Sequence, residues 1–152
     1  MADVSATTEV SRPAPDVFAY VTDPTRFPEW QDGVTSGRMD GGEMPQGVGE
    51  RCYTTRRIGG VERQVTSEVT HVDPPRQWGV QAIEGPIRTT VDVTVEPLAA
   101  DRSRLTIDLL FSGRGIGKVL VPLFVRRQAR HRMPANLRRL KERLERTEPG
   151  RG

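Results

Sequence analysis

The 152-residue chain has a single cysteine, Cys52. An intramolecular disulfide is therefore impossible, and a reducing compartment is the simpler expectation. Cys52 has no histidine near it in sequence and no metal-ligand spacing, so no metal site is expected. Long apolar runs are missing as well. The longest, VLVPLFV at 119–125, falls far short of the roughly 20 residues that cross a bilayer as a helix. The first ten residues, MADVSATTEV, have neither the basic nor the apolar region of a secretory leader, and a cytoplasmic location is expected. Phosphate-loop, G-x-S-x-G and H-E-x-x-H motifs are absent. The stretch SGRGIGK at 112–118 places two glycines before a helix, but Val119 follows Lys118 where a phosphate loop needs a hydroxyl. Its expected job is to join the last strand to that helix, and no cofactor is expected.

Aromatic residues make up 5% of the chain and apolar residues 35%. So few apolar side chains form a core only if they are strictly patterned. The length suits one domain, which buries roughly 68–70% of its unfolded surface without help from metals or disulfides. The net charge of +3 hides an asymmetry. Residues 118–152 hold eleven Lys/Arg against three Glu, and the first 117 carry an excess of acid. A basic helix of this kind can touch nucleic acid or an anionic surface. No aromatic residues interleave it and no nucleic-acid-binding motif accompanies it, so a solvated helix face is expected and no nucleic-acid partner.

The chain begins with an alternating segment, DVSATTEV at 3–10, that predicts a strand. Ser11 then stands as a candidate N-cap before RPAPDVFAYVTD, with Val17, Phe18 and Val21 at helical spacing. Asp23-Pro24 ends that helix, and PTRFPEW has room for one more short turn. From residue 33, Gly and Pro clusters at 41–49, 59–60, 74–75 and 85–86 separate alternating segments. IRTTVDVTVEPL sets Ile87, Thr89, Val91, Val93 and Val95 on one face. RLTIDLLFSG does the same with Leu105, Ile107, Leu109 and Phe111. Both read as antiparallel strands buried on one side. The final segment, about 116–146, predicts a long amphipathic helix with Val119, Leu123, Arg126, Arg130, Met133, Leu137, Leu140 and Leu144 in one stripe and a kink at Pro134. The whole predicts an α+β fold: a curved seven-stranded antiparallel sheet, two short helices after the first strand, and a long C-terminal helix on the concave face. Residues 1–146 form one domain and 147–152 a flexible tail.

The segment VSRPAPDVFAYVTDPTRFPEW, 10–30, resembles the N-terminal signature of the START-like (SRPBCC) helix-grip superfamily, which includes Bet v 1-type and polyketide cyclase/dehydrase-like proteins. VGERCYTTRRIGG, EVTHVDPPRQW and the Arg-rich terminal helix with its internal proline continue the likeness along nearly the whole chain. The resemblance implies the helix-grip fold, with an elongated cavity between sheet and helix for apolar or amphipathic small molecules. The Cys-x-His plus Cys-x-x-Cys pattern of Rieske-linked members is missing. So is the Gly-rich loop of plant members, of which GGEMPQGVG is a loose analogue.

The residues expected to line the cavity are Trp30, Tyr53, Val65, Val69, Trp78, Val91, Val93, Leu109, Phe111, Leu123, Arg126 and Arg130. Trp30 either stacks on ligand at the mouth of the cavity or packs between the two short helices and the sheet. Trp78 lines the cavity or faces solvent. Tyr53 and Cys52 lie on opposite faces of one strand, and Tyr53 is taken as the inward one. Arg126 and Arg130 stand in an apolar stripe, where a buried guanidinium needs an anion; otherwise they snorkel to solvent, or Arg127 replaces Arg126. His71, His131, Asp92 and Asp108 are expected to face outward, and no residue is assigned a catalytic role. Binding of a hydrophobic or amphipathic, lipid- or polyketide-like molecule is the expected function. A polyketide cyclase/dehydratase acting in the same cavity is the alternative, and a regulatory partner acting through the basic helix is a third. A monomer or homodimer is expected.

Overall fold

A computed structural model describes residues 4–40, 47–58, 60–84, 88–112 and 117–146, without the side chains of 58, 111–112, 117–126 and 128–129. The described elements are β1 (Val4–Val10), α1 (Ala14–Val21), a 3-10 turn (Pro24–Arg26), α2 (Phe27–Trp30), β2 (Val34–Met39), β3 (Arg51–Ile58), β4 (Val61–Asp73), β5 (Gln77–Glu84), β6 (Arg88–Ala99), β7 (Arg102–Ser112) and α3 (Gly117–Arg146). The seven strands form one curled antiparallel half-barrel in the order β1-β7-β6-β5-β4-β3-β2. The first strand closes against the last, so β1 and β2, adjacent in sequence, stand at opposite edges. The two short helices make that crossing. The expected tail at 147–152 lies outside the described residues, as do most of the GGEMPQGVG and SGRGIGK links.

Period-2 patterning sets the sheet's faces. Leu105, Ile107 and Leu109 of β7 are buried, as are Val93 and Val95 of β6. Across β6 and β7 the pairs Val93↔Ile107 and Val95↔Leu105 stack inward, and Asp92↔Asp108 point the other way. His71 lies on that outer face too, its Nε2 3.3 Å from Asp92 Oδ1 and its ring against Gly79.

The start of α1 differs from the sequence expectation. Pro13, not Ser11, holds the N-cap, with no side-chain bond to the helix. Ser11 instead donates its N–H to Glu145 of α3 at 2.9 Å. Beside it, the buried Arg12 donates to the Leu144 carbonyl at 2.5 Å and to Asp16 at 2.7 Å. A helix leaves its last carbonyls unpaired, and this guanidinium satisfies one of them. The 3-10 turn is held by Asp23, which accepts from the Thr25 N–H and hydroxyl.

Met133, Leu137, Leu140 and Leu144 bury one side of α3. The helix packs against β1, β7, α1 and α2 and runs unbroken through the exposed Pro134. The expected inward stripe fails at Arg130. That side chain is exposed and lies in a shallow groove with Val4, Ser5 and Ala6 of β1. Arg127 is exposed as well. At 3.6 residues per turn a strict four-three step drifts around the helix, and a long guanidinium reaches solvent more cheaply than it is buried.

Candidate functional site

The half-barrel, α3 and the two short helices enclose a cavity of about 230 Å³. One water occupies roughly 30 Å³ of liquid, so this is no packing defect. Val21, Phe27 and Trp30 of α1 and α2 close one end, and Arg132, Met133 and Asn136 of α3 form one side. The opening stretch of the chain is therefore the plug of a hollow. Phe27 and Trp30 meet edge to face, with centroids 5.9 Å apart.

The wall has two chemistries. Trp78, Val80, Ala82, Val91, Val93, Ile107 and Leu109 make an apolar side. Cys52, Thr54 and Arg56 of β3, with Ser67 of β4 and Thr89 of β6, supply polar groups. The β3 residues are alternate positions of one strand, so the pleat aims all three the same way. Cys52 stands opposite Ser67, and Thr54 opposite Val65.

Four charged residues line the cavity, Asp32, Arg56, Arg57 and Arg132. Arg57 meets Glu62 and Arg132 meets Asp32, which sets Arg56 apart. The Arg56 Nε donates to Thr54 Oγ1 at 3.2 Å and its Nη1 to Gln31 Oε1 at 3.3 Å. Both acceptors are neutral, and among the described residues no carboxylate pairs with it. Desolvation accordingly pulls its pKa below the usual arginine value. An arginine carries five N–H donors, and this one, half-buried, lines the cavity. The neighbouring Cys52 thiol is pushed by burial from 9.0 to about 11, against a smaller opposing pull from Arg56. It is a neutral wall group, not a poised nucleophile. Trp30 is 3% exposed, and its indole N–H finds no acceptor among the described residues.

Six of the twelve residues expected from sequence do line this cavity: Trp30, Val65, Trp78, Val91, Val93 and Leu109. Val69 is fully buried in the core but gives no surface to the cavity. Tyr53 requires a correction. It lies on the outer face, under the Arg38 guanidinium at 4.3 Å from its ring centroid, and Cys52 points inward instead. Arg130 is likewise outside the cavity. The side chains of Phe111, Leu123 and Arg126 lie outside the described residues. Sequence reading missed Arg56, Thr54, Ser67, Thr89, Gln31 and Asn136. Among the described residues no group of three His, Cys, Asp or Glu side chains could hold a metal ion, and no helix is long and apolar enough to cross a membrane.

A curled sheet gripping a terminal helix around a mainly apolar hollow defines a helix-grip protein with a ligand-binding fold. The profile of the polyketide cyclase / dehydrase and lipid transport family matches residues 1–145, and the chain belongs to that family. Similar solved structures include a START superfamily protein from Mycobacterium smegmatis (21% identity, TM-score 0.74, covering 94% of this chain and 97% of that one). The Zhui aromatase/cyclase from Streptomyces sp. R1128 is also similar (18% identity, TM-score 0.77, 94% and 93% covered). So is BexL, a di-domain ARO/CYC of the BE-7585A biosynthetic pathway (17% identity, TM-score 0.71, 93% of this chain and 46% of that one). At these identities the likeness is one of fold. A search of curated protein sequences finds no match.

Proposed function

We propose that the protein binds an amphipathic small molecule whose anionic or oxygen-rich end meets Arg56 and whose apolar body lies against Trp78, Val91, Val93, Ile107 and Leu109. The observation that carries this is the cavity-facing guanidinium with neutral partners only. A half-buried charge held by neutral partners is left partly desolvated without an opposite charge, and a ligand oxygen would supply the missing acceptor. Apolar burial at roughly 25 cal/mol per Å² drives binding, less the cost of ordering the ligand. The polar contact selects among ligands of similar shape.

A matched pair of probes tests the reading: 2-naphthoate and 2-naphthylmethanol, followed by quenching of tryptophan fluorescence. Trp30 and Trp78 are the only tryptophans, and both line the cavity. A hydrogen bond to a charged group is worth about 1.5–3 kcal/mol. The carboxylate should therefore bind about 10- to 100-fold tighter than the alcohol. Arg56→Met should abolish that preference and spare the alcohol. Equal binding of both probes to the unmodified protein would refute the role of Arg56.

The second reading is a cyclase or dehydratase on a polyketide-like substrate, favoured by the family and by the similar aromatase/cyclases. Arg56 would then stabilise an enolate oxygen while the walls hold the chain folded. Among the described lining residues the one carboxylate is Asp32, in the connection between α2 and β2, and there is no histidine, so carriage is preferred. Mass spectrometry of a poly-β-ketone incubated with the protein separates the two: loss of water or ring closure means catalysis, and recovery of unchanged ligand means carriage.

A further inference from the structure

Gln31, Asp32 and Gly33 connect α2 to β2, and all three line the cavity. On one side they are fastened to α3. The Asp32 N–H donates to Asn136 Oδ1 at 3.1 Å, and Asp32 Oδ2 lies 3.7 Å from Arg132 Nε. On the other side they are fastened to β3. The Gly33 carbonyl accepts the Arg57 N–H at 2.7 Å, and Gln31 Oε1 accepts from Arg56 Nη1 at 3.3 Å. This tripeptide therefore bridges helix and sheet at the cavity's wall.

The two attachments differ in strength. The β3 side continues a backbone ladder. Among the described residues the α3 side rests on one hydrogen bond and a long ion pair whose side chains are 41% and 57% exposed, and such pairs contribute little. Gly33 has φ +89°, and a Cβ there would stand 3.4 Å from Arg132 Nη1. The backbone at this point turns freely as glycine and lies close under the Arg132 side chain. Asn136 is buried, and its Oδ1 also accepts from Arg139 at 2.8 Å.

We propose that Gln31–Gly33 is a strap that detaches from α3 while staying on β3, and that this opening is the way into the cavity. Arg56 stays held by Gln31 while the strap swings, so the anchoring group keeps its aim during ligand passage. The purpose of the strap rests on the ligand-binding reading, but its test does not.

Cys52 is the sole cysteine, is 3% exposed and lines the same cavity. Its labelling by methyl methanethiosulfonate under native conditions reports how often the cavity opens. Losing one hydrogen bond is worth about 0.5–1.5 kcal/mol, so Asn136→Ala should label about 2- to 10-fold faster than the unmodified protein. Asn136→Asp keeps an acceptor for the Asp32 N–H and should label within about twofold of the unmodified protein. Arg132→Gln should quicken labelling by about twofold or less. Local opening exposes little surface, so the rate at low urea should scarcely change with urea, whereas global unfolding gives a steep slope. A steep slope in the unmodified protein and in Asn136→Ala would overturn the proposal. So would an Asn136→Ala rate no faster than that of Glu9→Gln, a control at the exposed pair with Arg102. Fast, urea-independent labelling in a protein that ignores both naphthyl probes would leave the strap standing and sink the ligand reading instead.

Discussion

Replacing Arg56 with methionine should make the ligand-free protein more stable. The guanidinium lies among cavity walls with two neutral acceptors, Thr54 Oγ1 and Gln31 Oε1, at 3.2 and 3.3 Å. Its pKa is lowered chiefly by desolvation, and the only opposing influence is the Cys52 thiol. Exchanging buried charged groups for apolar ones of similar volume ranges from neutral to about 1–4 kcal/mol stabilising. The exchange removes two hydrogen bonds worth about 1 kcal/mol each, and Thr54, only 4% exposed, loses its donor. Against that stabilising range of about 1–4 kcal/mol, about 2 kcal/mol of lost hydrogen bonding leaves a balance between a loss of about 1 and a gain of about 2 kcal/mol. It is centred near a gain of about 0.5 kcal/mol, or roughly 1–2 °C in Tm for a chain near this length. Calorimetry and urea unfolding of the ligand-free protein, read together, measure it. A loss of more than about 1 kcal/mol would mean that the two hydrogen bonds outweigh desolvation. Arg56 would then be a structural residue, and the argument for a missing anion would fall. A gain in stability together with lost carboxylate preference is the signature of a binding group kept at a cost to the fold.

The Cys52 thiol gives a pH prediction. Its pKa rises from 9.0 to about 11 on burial, so between those values the native state keeps a proton that the unfolded chain releases. Stability therefore falls as pH rises through that window, by at most about 1.4 kcal/mol per pH unit. Cys52→Ala lacks this slope, and a stability difference between the two proteins that stays constant from pH 8 to about pH 10.5 would contradict it. Two glycines give a contrast. A Cβ on Gly37 would stand 2.2 Å from the Pro24 carbonyl oxygen, whereas on Gly79 it would meet only the His71 ring. Gly37→Ala should cost about 1–3 kcal/mol because backbone must move. Gly79→Ala should cost under about 1 kcal/mol, since the half-exposed ring can swing away from its surface contact with Asp92. Equal losses in urea unfolding would refute the distinction.

Much of the architecture was legible from patterning. Leu105, Ile107 and Leu109 alternate with Thr106, Asp108 and Leu110, and that contrast alone orients β7. Asp23-Pro24 broke the helical segment where the structure breaks it. The site was less legible because β3 offers no such contrast. Cys52, Thr54 and Arg56 alternate with Tyr53, Thr55 and Arg57, so both faces are polar and the larger aromatic ring was taken as the inward one. A signal did exist. Ile58 pairs with Val61, which places Thr54 beside Val65, and partners across a ladder share a face. An inward Val65 thus carries Thr54 inward, and Arg56 with it. On α3 the charged positions were read as part of an apolar stripe. Helical drift and the reach of arginine set Arg130 outside the cavity, which is the snorkelling alternative that the sequence left open. Asn136 and Gln31 act through partners distant in sequence, which no local pattern reveals.

The polar wall groups of β3 occupy every second codon of a five-residue ribbon, 52, 54 and 56. Most of the hydrophobic centre of the molecule is built by other elements, with Cys52 joining it from β3. Diversity introduced at those three codons would vary the charge, size and hydrogen-bonding character of the compartment, most freely at 56, since Cys52 and Thr54 are themselves buried. On the ligand-binding reading proposed above, drift at the same three sites is a short mutational path from one guest molecule to another.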